Sequence, residues 1–275
     1  MTVNYEIKGM LAKLLAEEDI IVEHKKVETA CFNVHTRVLT LPMWKASNTV
    51  IDLLVAHEVG HSRETPNIEW EKEHNIPPQF LNICEDARIE KLMKRRYGGL
   101  AKTFYGGYKE LNEEDFFEIG DDNLETYSLA DRVNLYFKIG NFTNIFIKSG
   151  EETDIKTMIA DAETFDDVLI AAEELYKYCK KEKEEEKGEE SNTESNDADS
   201  EESDGNQQPD SNSGEEEGQS DDNDFQQQQQ QQQSQSTKQN QGGEKNQEIE
   251  VKTVDSFEKA LKDLVSNDGY ENVYL

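Results

Sequence analysis

His57-Glu58-Val59-Gly60-His61 places two imidazoles four residues apart with an acid between them. If Val50 to Arg63 is a helix, His57 and His61 sit one turn above each other, so both can reach a single ion. Glu58 projects to the side, outside the ligand set but within reach of a water at that ion. The chemistry this pattern suits is metal-assisted hydrolysis, with the acid as general base. The apolar run Val50-Ile51-Asp52-Leu53-Leu54-Val55-Ala56 leads into the motif, and Pro66 follows it, as expected for a buried helix with a defined end. The bland alternative is a pair of packed or exposed helix histidines.

A catalytic zinc site takes three protein ligands and leaves a fourth position open. The third must come from downstream. A histidine six residues after His61 is excluded, because that position is Asn67 and the glycine that pattern requires is Glu64. His74 lies in a polar, turn-like stretch before Pro77-Pro78. A second helix is predicted over Phe80 to Met93, after that proline start signal. On it, Glu85 shares a stripe with Ile89, Leu92 and Met93 and so faces inward. A carboxylate on an apolar face requires a compensating cation, and zinc supplies one. Glu85 is therefore the expected third ligand; an ion pair with Arg88 or Arg96 is the alternative. Asp86 and Glu90 lie further round, with Asp86 a candidate partner for a ligand imidazole.

His57-Glu58-Val59-Gly60-His61-Ser62-Arg63, then Glu85-Asp86-Ala87-Arg88-Ile89-Glu90, then Ser128-Leu129-Ala130-Asp131-Arg132-Val133-Asn134 resembles the metallopeptidase-like domains of phage and bacterial proteins that also carry a von Willebrand factor A module. These are similar to the cobaltochelatase T-subunit group and, more distantly, to zincins whose third ligand is a helix glutamate. The resemblance covers about residues 1 to 180. It implies a zincin-like fold, Zn2+ held by His57, His61 and Glu85, and Glu58 as general base. It also implies a peptide or protein substrate, or, in a non-hydrolytic alternative, an adaptor serving a chaperone- or chelatase-like ring ATPase. A fourth zinc position filled by Cys84 or His74 would mark that alternative. No von Willebrand module is recognisable in this sequence, and no oxyanion-stabilising residue is assigned; Tyr97, Tyr105 and Tyr108 are the candidates.

The elements that must position these residues form an α+β domain. An amphipathic helix near Met10 to Glu18 precedes a strand at Ile20 to His24, and Ala30 to Pro42 reads as a hairpin. A small antiparallel sheet is expected to pack on the motif helix. Val38 to Leu41 is its candidate edge for holding an extended substrate, unless that strand is paired inside its own sheet. His24 and His35, on strand-like stretches, are given no role, and Cys84 reads as packing. The half after the second helix is mainly helical, with Leu129, Val133, Tyr136 and Phe137, then Phe165, Val168, Leu169, Ala172, Leu175 and Tyr176, at helical spacing.

Composition divides the 275 residues into three. Residues 1–181 carry 22 Lys or Arg against 33 Asp or Glu and nearly all the apolar content, enough for one core. Residues 182–248 carry 21 acids against 4 lysines and the run Gln226 to Gln233, a composition that predicts a disordered linker. Residues 249–275 hold a short helix with Phe257, Leu261, Leu264 and Val265 on one face, then a strand-like end at Tyr270 to Leu275. Too short for a core of its own, this tail either folds back or begins a further domain, and the resemblance favours the latter. A net charge of −31 argues against nucleic-acid binding, which requires a basic face. No apolar run approaches the roughly 20 residues of a spanning helix. Three cysteines without a framework spacing, and no export signal, predict a cytoplasmic protein of a bacterium or phage-infected host.

Overall fold

The helices that open at Tyr5, Asn48 and Leu129 begin after residues whose side chains cap them, Asn4, Ser47 and Ser128. In the computed structural model, which describes residues 4–18, 20–27, 30–33, 35–68, 74–193, 249–265 and 273–274, α1 (Tyr5–Ala16) starts at Asn4, whose side chain accepts the Ile7 amide. The motif helix α2 (Asn48–Glu64) starts at Ser47, whose hydroxyl accepts the Val50 amide, and closes at Thr65 ahead of Pro66. Residues 50, 51, 53 to 56, 59 and 60 are all buried, so α2 is apolar on most of its circumference and lies inside the domain. The next helix, α3 (Pro78–Arg96), opens with proline at its first position, where the missing amide costs nothing.

Gly60 sets how closely α3 approaches α2. A Cβ there would stand 3.1 Å from Ile89 Cδ1 and 3.2 Å from Met93 Cγ, tighter than side chains ordinarily pack. The glycine inside the histidine motif thus lets the acidic face of α3 come up to the imidazoles. On the other side, α2 packs against α4 (Leu100–Glu113) across Gly107, where a Cβ would lie 2.6 Å from Leu53 Cδ1.

Beyond α4, a short 3-10 turn (Leu124–Thr126) leads to α5 (Leu129–Ile139), capped by Ser128, and then to α6 (Glu151–Asp161) and α7 (Phe165–Thr193). Two apolar clusters result. One joins α1, the sheet, α2 and α4; the other joins one face of α3 to α5, α6, α7 and Ile249 and Val251. The motif Ser128 to Asn134 is scaffolding: Arg132 is buried and makes two hydrogen bonds to Glu152, while Asp131 and Asn134 bind the C-terminal segment.

The sheet is mixed rather than antiparallel. Strands β1 (Ile21–Lys25), β2 (Cys31–Asn33), β3 (Val38–Pro42) and β4 (Val273–Tyr274) lie in the order β2-β3-β1-β4, with β1 parallel to β3 and the other two pairs antiparallel. The hairpin over residues 30–42 forms as β2 and β3. Its second strand inserts between β2 and β1, so Val38 to Leu41 is not an edge and its backbone groups are already paired. That corrects the expectation of a substrate-holding edge.

Two compact units are present, Met1–Cys179 with Asn246–Leu275, and Lys180–Lys245. The boundary expected after residue 181 falls inside α7, which continues to Thr193; the rest of the expected linker, 194–248, lies outside the described residues. The C-terminal segment belongs to the first unit, through α8 (Lys252–Asp263) and β4. Among the described residues, no helix is long and apolar enough to cross a membrane.

Candidate metal centre

Two pairs of side chains, each spaced four residues apart, face each other across the α2–α3 interface. His57 and His61 come from α2, and Asp86 and Glu90 from α3. The imidazole rings stand 4.9 Å apart at 75°. Asp86 Oδ1 is 3.2 Å from His61 Nε2 and 3.6 Å from His57 Nε2. Ligands at about 2.0–2.1 Å from a tetrahedral zinc stand about 3.3 Å from one another, so the carboxylate-to-imidazole separations suit such an ion. One ligand atom from each of His57, His61 and Asp86 lies within 4.8 Å of the others.

The far side of each ring is tied down. His57 Nδ1 lies 3.1 Å from Glu90 Oε1, an oxygen that also accepts the Tyr108 hydroxyl at 2.5 Å. A carboxylate can only accept, so His57 donates from Nδ1. His61 Nδ1 lies 3.1 Å from Thr65 Oγ1, and Thr65 donates its own proton to Glu85 Oε1 at 2.5 Å. With the hydroxyl proton committed there, the Thr65 oxygen accepts from His61 Nδ1. In its neutral form each ring is therefore held in the tautomer that turns an Nε2 lone pair toward Asp86. Two lone pairs facing a carboxylate repel one another unless a cation, a proton or a metal ion, sits between. The donor set fits a divalent metal.

Glu85 does not join this set. Its carboxylate is buried, as its stripe predicts, but it takes two hydrogen bonds from Arg88, at 2.8 and 2.7 Å, and one from Thr65. The compensating cation is the guanidinium three residues on, and the carboxylate that stands with the two histidines is that of Asp86, one position and about 100° further round α3, rather than the expected Glu85. Arg88 also donates to the Glu64 carbonyl at 2.8 Å, fixing the end of α2 beside the centre. Glu85 thus acts on His61 through Thr65.

Lys138 of α5 and Tyr108 of α4 complete the surroundings; from sequence Tyr108 is only an oxyanion candidate, and Lys138 is not apparent as a site residue. Lys138 Nζ donates to Asp86 Oδ2 at 2.8 Å and lies 3.5 Å from the Tyr108 hydroxyl. Burial opposes the Asp86 carboxylate, but Lys138 and the two imidazoles outweigh it and hold its pKa far below the usual range. Burial likewise opposes charge on Glu90, but the hydrogen bond from His57 and the charges of Lys138 and Lys94 prevail, so its pKa is lowered too. For His61 burial is the largest influence and lowers the pKa, but Asp86 and the charges of Glu58 and Glu85 together raise it. Glu58 differs from the other acids. Desolvation dominates the attraction of the two histidines and raises its pKa.

Tyr97 donates to the Leu15 carbonyl and Tyr105 is half exposed against Phe142, so neither stands at the centre; Tyr108 meets Glu90 rather than a substrate position. Cys84 is fully buried in the second apolar cluster, and burial pushes its thiol pKa up. Neither Cys84 nor His74 joins His57, His61 and Asp86. The signal that could have singled out Asp86 is its spacing: an acid pair four apart opposite a histidine pair four apart. No family model, no curated protein and no solved structure matches the chain.

Proposed function

We propose that this chain is a zinc-dependent metallopeptidase of zincin-like type, with Zn2+ held by His57, His61 and Asp86. The observation that carries this reading is the convergence of two Nε2 atoms on Asp86 Oδ1, with both Nδ1 atoms anchored behind them. A zinc ion there would supply Lewis acidity and a water of lowered pKa.

The chain's own residues would do the rest. Glu90 and Thr65 keep the imidazoles in the ligating tautomer, and Lys138 holds the Asp86 carboxylate with one oxygen turned to the histidines. Glu58, one residue from His57 and free of hydrogen bonds and ion pairs among the described residues, accepts the proton of the attacking water and returns it to the leaving amine. Its raised pKa brings it nearer the range in which both transfers are favourable. The substrate class is a peptide bond in a polypeptide, and the cytoplasm of a bacterial or phage-infected cell is the proposed setting.

The test is a comparison of Glu58→Gln with His57→Ala. Glu58→Gln keeps zinc and loses about 10²–10⁴-fold in hydrolysis, the usual contribution of a general base, while His57→Ala loses both. Zinc content is read by elemental analysis and cleavage by new amino termini in an exposed proteome. Undiminished cleavage by zinc-loaded Glu58→Gln overturns the mechanism.

A further inference from the structure

The C-terminal segment comes back to the metal centre after 55 residues that separate Thr193 from Ile249. Its seat is polar at one end and aromatic in the middle. The Thr253 amide and hydroxyl both donate to Asp131 Oδ1, at 2.8 and 2.9 Å, and Asn134 donates to the same hydroxyl at 3.0 Å; Thr253 and both partners are buried. One turn on, Phe257 stacks on Phe117 at 5.4 Å and meets Phe116 edge-on at 5.5 Å. At the far end, the Leu264 carbonyl accepts the Lys45 amide at 2.7 Å.

Two contacts bring this segment alongside the residues that surround the centre. The Phe257 ring lies 5.1 Å from Lys138 Nζ, the ammonium that holds Asp86. Asp255 accepts from Gln79 at 3.4 Å, and Gln79 precedes Asp86 by seven residues on the same face of α3.

We propose that residues 249–265 form a wall of the metal centre, seated through Thr253 and Phe257 on α5 and the stretch after α4, and that their seating governs access to the ion. The occupant of this surface is the chain's own C-terminal segment. The proposal rests on the metal reading above and adds to it that residues beyond the acidic stretch decide how fast the centre exchanges with solvent.

The full chain loaded with Co2+ tests this through the rate at which excess EDTA removes the metal. Phe257→Ala raises that rate about tenfold, by weakening the seat without touching a ligand. Lys259→Glu raises it severalfold, because it breaks only the exposed ion pair to Glu118, 2.6 Å away, and leaves the core intact. Leu39→Ala, in the sheet, controls for general loss of stability and leaves the rate unchanged. Equal rates in the unaltered chain and in both α8 variants, each loaded with Co2+, overturn the wall. An unaltered chain that takes up no Co2+ overturns the metal reading, and the wall with it.

Discussion

Thr65→Val removes one oxygen from the centre while keeping the shape of the side chain. That oxygen accepts from His61 Nδ1 at 3.1 Å and donates to Glu85 at 2.5 Å. Without it, Glu85 keeps both hydrogen bonds from Arg88, so its charge stays compensated, and the loss to the fold is about 1–3 kcal/mol for one charged hydrogen bond. His61 loses more specifically. Nothing then fixes its proton on Nδ1, and the ring is free to turn Nε2 away from Asp86. Removing such a partner behind a ligating histidine typically costs about 10–100-fold in metal affinity, or about 1.4–2.7 kcal/mol. Equilibrium competition for zinc against a chromophoric chelator at fixed pH measures this, with a thermal melt of the same samples to show that they remain folded. Thr65→Ser restores the oxygen and binds zinc within severalfold of the unaltered chain. Zinc binding by Thr65→Val as tight as by the unaltered chain refutes the relay, as does a serine variant as weak as the valine one.

Glu85→Gln leaves the Arg88 guanidinium buried beside a neutral amide, and a destabilisation of about 3–5 kcal/mol is expected in denaturant unfolding while zinc stoichiometry is unchanged; loss of zinc from folded protein would restore Glu85 as a ligand. His24 is fully buried on β1, with neither ring nitrogen hydrogen-bonded among the described residues, and burial lowers its pKa to about 4. Since the unfolded chain protonates this residue near 6.5, stability falls as pH drops from 6.5 toward 4, by at most about 3 kcal/mol. His24→Leu removes that part of the slope, and unfolding curves of parallel pH dependence for the two chains would contradict it.

The histidine helix was readable because its evidence is local: an apolar run, a four-residue spacing and a proline stop all lie between Val50 and Pro66. The burial of Glu85 was readable too, from the stripe it shares with Ile89 and Met93, both fully buried. Which cation it meets was not. That depends on the rotation of α3 against α2, set by the close approach at Gly60, and one residue's difference on a helix turns a side chain by about 100°. Lys138 was out of reach for a related reason, since a lysine ten residues into a helix reads as exposed until another helix brings an acid to it. The mixed sheet likewise follows from β3 entering between β2 and β1, a long-range choice that the alternation of apolar residues along each strand does not encode.

A crystal of the full chain grown with zinc, with data collected on both sides of the zinc absorption edge, locates the ion without reference to activity. One anomalous peak per chain is expected, about 2.0–2.2 Å from His57 Nε2, His61 Nε2 and Asp86 Oδ1, with Glu85 still bound to Arg88. A peak coordinated by Glu85 in place of Asp86, or zinc bound only away from the two histidines, would contradict it.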